Sequence, residues 1–272
     1  MLRKTLIGAV VVFILFLVYI ATRTPSHEKD GEMFSQKTPT AAVRVQEITL
    51  HNVRNWNYTD TETTSREWID AVTIKPEDIK TIWFGFSGFS KFKAAGHTFL
   101  SFELQSGEVY TLSVEARREK GETYSAFKGL FNKYELLYGW GTERDYVGVR
   151  VHRAKQPVEI YPLQLTQEEA AAVFIAVADE TRRVAEKPRF YNTITSNCTN
   201  ELVNAVNQRY PGRIRYNIAH NLPGLSIGYL QKIGFLQEVP RFVIPTDSSL
   251  LLEGASSSTK DFSAVLRDIL AQ

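Results

Sequence analysis

The single cysteine of the chain, Cys198, lies where a polar stretch gives way to a helical pattern. Apolar residues follow it at helical spacing (Leu202, Val203 and Val206), and Asn197 before it is typical of a helix N-terminus. Backbone N–H groups and the helix dipole stabilise a thiolate in the first turn of a helix, which lowers the thiol pKa. Cys198 is therefore a candidate nucleophile, although an unpaired cysteine is more often a small buried apolar residue.

A nucleophilic cysteine needs a base, usually a histidine from elsewhere in the sequence. The segment HTFLSFEL, which begins at His97, alternates like a strand, and a turn at 106–107 returns the chain to Glu115. If the two strands pair antiparallel, Glu115 lies near His97 and could hold the charge and orientation of its imidazole. An ordinary cross-strand polar pair would give the same pattern. Another histidine, His51, is more typical of a surface hydrogen-bonding residue.

Composition excludes several classes of protein. A chain of 272 residues with 43% apolar residues is long enough to bury a core. Its 32 basic and 30 acidic residues give a net charge of +2, so no strong field attracts nucleic acid, and none is expected as a partner. One cysteine excludes an intrachain disulfide and a cysteine-based zinc site. No metal-binding or phosphate-binding motif is present, so neither a metal nor a cofactor is expected.

The N-terminal segment predicts a membrane anchor. Arg3 and Lys4 precede an almost wholly apolar run at 5–22, close to the ~20 residues that span a bilayer. The basic end should stay in the cytoplasm, and no clear cleavage site supports the alternative of a removed signal peptide. The sequence thus predicts a cytoplasmic basic end (1–4), a transmembrane anchor (5–22), a polar tether (23–41), a periplasmic domain (42–240) and a polar tail with a short terminal helix (241–272).

Patterns between the two candidate residues predict an α+β fold. Two further strands are predicted at 131–140 and 144–152, where apolar and polar residues alternate. Thr166 and Glu169 form a capping-box pattern, which predicts the start of an alanine-rich helix ending before Pro188. A strand would therefore carry His97, and a helix would carry Cys198.

Several stretches together resemble the bacterial family defined by the N-terminal extracytoplasmic domain of Lnb-type lipoprotein N-acyltransferases. They run in order between Val45 and Phe235: HNVRNWNY, AGHTFLSFEL, SVEARREKGETYS, FKGLFNKYELLYGWGTERD, FYNTITSNCTNELVNAVN and PGRIRYN. The resemblance implies a permuted papain-like, NlpC-related thiol fold, with an antiparallel sheet packed against helices and the histidine strand before the cysteine helix. It also implies a single-pass protein of the bacterial inner membrane with its catalytic domain in the periplasm.

The resemblance implies thioester chemistry with Cys198 as nucleophile and His97 as base. Glu115 is the expected orienting residue, and Asn197 could add a side-chain donor to an oxyanion site. The implied substrate is a lipid or lipoprotein acyl group at the cytoplasmic membrane. Lnb-type transferases carry further membrane spans after this domain, and this sequence predicts no second span, so hydrolysis is expected as an alternative to transfer. Two alternatives are an NlpC-type peptidase or amidase of cell-wall peptides and a non-catalytic envelope protein that binds a lipid or partner.

Overall fold

The computed structural model describes residues 2–89, 93–237, 243–245, 252 and 258–270. These residues form an α+β fold in which a mostly antiparallel sheet packs against helices, as the sequence predicts. The described strands are β1 (Thr40–Val43), β2 (Ile48–Tyr58), β3 (Thr63–Ile74), β4 (Ile79–Gly88), β5 (Gly96–Leu104), β6 (Val109–Arg117), β7 (Glu135–Thr142), β8 (Val158–Pro162) and β9 (Val243–Ile244).

The described helices lie at both ends of the chain and between the later strands. They are α1 (Leu2–Thr22), α2 (Glu143–Gly148), α3 (Gln167–Glu186), α4 (Cys198–Arg209), α5 (Ser226–Lys232) and α6 (Thr259–Leu270). A π-helical turn, Val149–Arg153, directly follows α2. Counting only described residues, none of these helices combines the length and the apolar character that a bilayer crossing requires.

The strands form one sheet in the order β1-β2-β7-β6-β5-β4-β8-β9, and β3 pairs with the other side of β2. The pairing of β2 with β7 is parallel and the remaining pairs are antiparallel. The predicted hairpin is confirmed as β5 and β6, with Phe99 opposite Ser113. Because side chains alternate along both strands, this register places His97 and Glu115 at the same end of the hairpin.

Apolar side chains cover both faces of the sheet. On one face, Phe174 of α3 packs against Phe102 and Trp140, with ring centroids 5.3 and 6.0 Å apart. On the other, Phe262 and Leu266 of α6 are fully buried in a second cluster. Burial of each such large side chain stabilises the fold by roughly 1.5–3 kcal/mol. The central strands are therefore held from both sides, which gives the hairpin a rigid position.

Helix α3 begins as predicted. Thr166 caps it by accepting a hydrogen bond from the backbone N–H of Glu169, whose carboxylate accepts one from the N–H of Thr166. The strand predicted at 131–140 is present as β7, which begins four residues later and ends two residues later. A terminal helix is present as α6, and the tail residues 241–242, 246–251, 253–257 and 271–272 lie outside the described residues.

The strand predicted at 144–152 is wrong, because these residues form α2 and the π-helical turn. The Thr142 hydroxyl accepts a hydrogen bond from the backbone N–H of Asp145 and so starts the helix. The buried Asp145 carboxylate then pairs with Arg54 of β2, with 2.7 Å between Nη2 and Oδ1. A tertiary ion pair thus overrides the local alternation of apolar residues.

The segment predicted as a polar tether lies along the surface of the domain. His27 Nε2 is 2.9 Å from the carbonyl oxygen of Val184, and the Lys29 ammonium is 2.5 Å from the Glu135 carboxylate. The Arg117 guanidinium donates to the carbonyl oxygens of Lys29 and Ser35, both at 3.1 Å. The chain therefore reaches β1 along a fixed path.

Candidate active site

Helix α4 begins at Cys198, and Asn197 holds the start of that helix in place. The Asn197 Oδ1 atom accepts hydrogen bonds from the backbone N–H groups of Thr199 and Asn200, both at 2.9 Å. Its Nδ2 donates to the carbonyl oxygens of Thr193 and His220 at 2.9 and 3.0 Å. Both amide hydrogens are thus committed, so the side-chain oxyanion donor predicted at Asn197 is not available. Asn197 instead supports the loop and helix that present the thiol.

The capping of α4 by Asn197 leaves the backbone N–H of Cys198 available as a hydrogen-bond donor. An α-helix has four N–H groups without intrahelical partners at its start. The N–H groups of Thr199 and Asn200 bond to the Asn197 side chain, and the N–H of Glu201 makes the first intrahelical bond, to the Asn197 carbonyl oxygen. Within the described part of the chain, the Cys198 N–H has no acceptor. This N–H lies at the positive end of the helix dipole, where it can stabilise the negative charge that develops on an oxyanion.

The β5–β6 hairpin positions the imidazole of His97. Its Nε2 lies 2.6 Å from the Ser113 hydroxyl, which donates to the Glu115 carboxylate at 2.6 Å. The direct distance from Nε2 to Glu115 Oε1 is 3.4 Å. These partners occupy Nε2, so Nδ1 is the ring nitrogen left for proton transfer. The sequence interpretation missed Ser113, although it lies two residues before Glu115 and therefore on the same face of β6.

The structure places the Cys198 thiol beside the His97 imidazole, close enough for each to shift the pKa of the other. Burial by itself raises the pKa of the thiol, but the charge of His97 and hydrogen bonds from His97 and Thr98 outweigh it and lower this pKa to about 7. Burial lowers the pKa of His97, whereas the charges of Glu115 and Cys198 raise it to about 9. Near neutral pH a large share of the pair is therefore thiolate and imidazolium.

Glu115 stays ionised because two cations face it. Burial raises the pKa of its carboxyl group, but His97 and then Arg150 hold that pKa well below its ordinary value. Arg150 Nη2 lies 3.8 Å from Glu115 Oε1, and its Nη1 donates to the carbonyl oxygen of Tyr146 at 2.7 Å. Arg150 belongs to the π-helical turn. No local sequence pattern indicated Arg150, since the alternation at 144–152 predicted a strand.

The buried phenol of Tyr191 lies near the thiol. Burial, followed by the negative charge of Cys198, raises its pKa far above the ordinary value, so it stays protonated. Its hydroxyl is 3.4 Å from that of Tyr124. A protonated phenol at this point can donate a hydrogen bond to a bound substrate. The sequence interpretation missed Tyr191, although it lies seven residues before Cys198 in the same motif.

The carboxylate of Glu201 fixes helix α4 to the sheet. Its oxygens accept hydrogen bonds from Tyr138 of β7 at 2.9 Å, from Ser196 at 2.6 Å and from Arg189 at 2.8 Å. A buried carboxylate with several donors is held in one geometry. The position of the thiol relative to the hairpin is therefore determined by the core and by Glu201.

Two other histidines, His51 and His152, contact groups outside this pair. His51 Nδ1 is 3.2 Å from the carbonyl oxygen of Asp70, and His152 Nδ1 is 3.2 Å from the Asp60 carboxylate. Among the described residues, no group of three or more histidine, cysteine or acidic side chains is placed to hold a metal ion. His97 is the histidine whose charge lowers the pKa of the thiol.

One protein family matches the sequence. The model of the family described as the Lnb N-terminal periplasmic domain matches residues 65–223, more than half of the 272 residues. This range contains His97, Ser113, Glu115, Arg150 and Cys198. No curated protein and no solved structure matches the chain.

Proposed function

Because the chain belongs to the family of the Lnb N-terminal periplasmic domain, we propose that this extracytoplasmic domain is a thiol acyltransferase or hydrolase. The proposed substrate is the acyl group of a lipid or lipoprotein ester. The observation that carries the proposal is the placement of the Cys198 thiol, which lies at a helix start where the charge of His97 lowers its pKa. Ser113 and Glu115 hold the opposite side of that imidazole.

In the first half of the reaction, the Cys198 thiolate attacks the carbonyl carbon of the ester. A C–S bond forms, and the carbonyl electron pair moves onto the oxygen, where the Cys198 N–H stabilises the charge. The C–O bond to the leaving group then breaks, and the His97 imidazolium gives its Nδ1 proton to the departing alkoxide. The result is a thioester on Cys198 and a neutral imidazole.

In the second half, His97 accepts a proton from the group that attacks the thioester. If the attacking group is water, the product is a carboxylic acid, and if it is an amine, the product is an amide. In both cases the C–S bond breaks and the thiolate is restored beside a protonated His97. Glu115 keeps the imidazole oriented and stabilises its charge through both steps, either directly or through Ser113.

The order of these parts supports a permuted papain-like arrangement as part of the proposal. The histidine lies on β5, before the cysteine at the start of α4 in the sequence. A thiol at a helix N-terminus facing a histidine on a neighbouring strand is the arrangement that the family resemblance implies. The sheet and helices around it agree with that architecture at the level of an antiparallel sheet covered by helices.

The proposal is tested with the full chain in detergent and a short p-nitrophenyl ester. We expect release of nitrophenolate together with an intact-mass increase equal to one acyl group, located on Cys198. The Cys198→Ser variant should show neither. Absence of any Cys198-dependent adduct would reject thioester chemistry and leave a binding role. If the protein instead released new amines from purified cell wall in a Cys198-dependent way, the NlpC-type alternative would replace the acyl-ester proposal.

Attachment to the membrane through α1 is the second part of the proposal. Large apolar side chains of this helix are more than half exposed, among them Leu6, Phe13, Leu15 and Tyr19. Such a concentration of exposed apolar surface is unfavourable in water and favours contact with lipid. We expect the full chain to stay with bacterial membranes after an alkaline carbonate wash, whereas a variant lacking residues 2–22 is released. Release of the full chain by the wash would contradict this attachment.

A further inference from the structure

An apolar cavity of about 60 Å³ lies behind the candidate nucleophile. Thr199, Leu202, Val203 and Val206 line one side of it. These residues occur at i, i+3, i+4 and i+7 along α4, so they share one face of the helix. The cavity therefore follows the helix that carries Cys198.

Thr199 links this cavity to the thiol. Its side chain lines the cavity, and its hydroxyl oxygen lies 3.9 Å from Cys198 Sγ. The same oxygen is 3.1 Å from the hydroxyl of Thr98, a residue that helps to lower the pKa of the thiol. The Thr199 side chain thus lies between the cavity and Cys198 Sγ, the atom that would carry an acyl group.

The wall of the cavity favours an uncharged occupant. Among the described residues that line it, none is acidic, lysine or arginine. The His220 imidazole at the wall is buried, its Nε2 has no hydrogen-bond partner among the described residues, and burial lowers its pKa, so it is neutral at pH 7. A carboxylate or ammonium placed there would lose its hydration without gaining a counter-charge. A hydrocarbon chain has no such penalty.

We infer that this cavity receives the first methylene groups of an unbranched acyl chain carried on Cys198. The inference rests on the proposed thioester chemistry and adds the chain specificity of that site. The volume exceeds the 10–15 Å³ that one water needs and is smaller than the ~150 Å³ of a cavity that binds benzene. It therefore accommodates a few methylene groups, and acylation should quicken along the first members of a straight-chain series.

The test measures the rate of Cys198 acylation by p-nitrophenyl acetate, butyrate and hexanoate, using the full chain in detergent. Burial of one methylene group corresponds to about a fourfold change in rate. Butyrate has two more methylene groups than acetate, so we expect it to react roughly 15-fold faster in the wild type. Val203→Phe, which fills the cavity, should reduce the ratio of the butyrate rate to the acetate rate to near one. Asn204→Phe, on the exposed side of the same helix, should retain the wild-type series.

Two outcomes separate the inference from the function on which it rests. If acetate fails to acylate Cys198 in the wild type, the thioester proposal itself fails. If acetate reacts but Val203→Phe keeps the wild-type dependence on chain length, the cavity does not hold the chain. Val203→Ala tests the opposite change in cavity size. It enlarges the cavity and should move the preference to longer acyl chains. An unchanged series in both variants overturns the inference.

Discussion

Replacement of His97 by alanine is expected to move the pH midpoint of Cys198 alkylation from about 7 to above the ~8.5 of an ordinary thiol. The variant loses the cation that opposes burial, and burial alone disfavours the thiolate. The same change should lower the rate of acylation by a simple alkyl ester by at least about 100-fold, because the alkoxide leaving group also loses its proton donor. The profile is measured with iodoacetamide on the full chain, and acylation by the alkyl ester is measured from the intact mass.

The matched control is His51→Ala. His51 lies on β2 and contacts the Asp70 carbonyl oxygen, so its removal should leave both the alkylation profile and the acylation rate unchanged. A wild-type midpoint near 8.5, or a midpoint that does not move in His97→Ala, would show that the two side chains are not an activated pair. Labelling that occurs only after unfolding would show that Cys198 is a buried structural cysteine.

Replacement of Asp145 by alanine is expected to lower the free energy of unfolding by about 3–5 kcal/mol, the cost of leaving a buried charge unpaired. The Arg54 side chain is 6% exposed and donates to both oxygens of this carboxylate at 2.7–2.9 Å. The backbone N–H of Trp56 and the hydroxyl of Tyr58 also donate to it, at 2.8 and 3.1 Å. Urea denaturation monitored by tryptophan fluorescence measures the change.

A surface ion pair provides the comparison for this prediction. Asp179 pairs with Arg182 on α3, where both side chains are partly exposed. Solvent screens such pairs, so Asp179→Ala should cost no more than about 1 kcal/mol. Replacing both Arg54 and Asp145 with leucine should cost less than Asp145→Ala alone, because no unpaired charge remains. Equal losses in Asp145→Ala and Asp179→Ala would contradict the role assigned to the buried pair.

The sequence by itself determined the elements whose signals are local. Asn197 and the apolar spacing after Cys198 predicted a helix start at the thiol, because capping and helical periodicity depend on neighbouring residues. Strand alternation and the turn at 106–107 predicted the hairpin that brings His97 and Glu115 to one end. Only residues a few positions apart, or related by one hairpin register, were needed for these predictions.

The tertiary structure decided the features that depend on residues far apart in sequence. The alternation at 144–152 favours a strand, yet the buried pair of Asp145 with Arg54 makes it a helix and a π-helical turn. That turn places Arg150 next to Glu115, and no local sequence pattern predicts this contact. The contact between Cys198 and His97 likewise depends on how the core packs α4 against the hairpin. Burial and charge pairing across the fold set these positions, and neither can be read from adjacent residues.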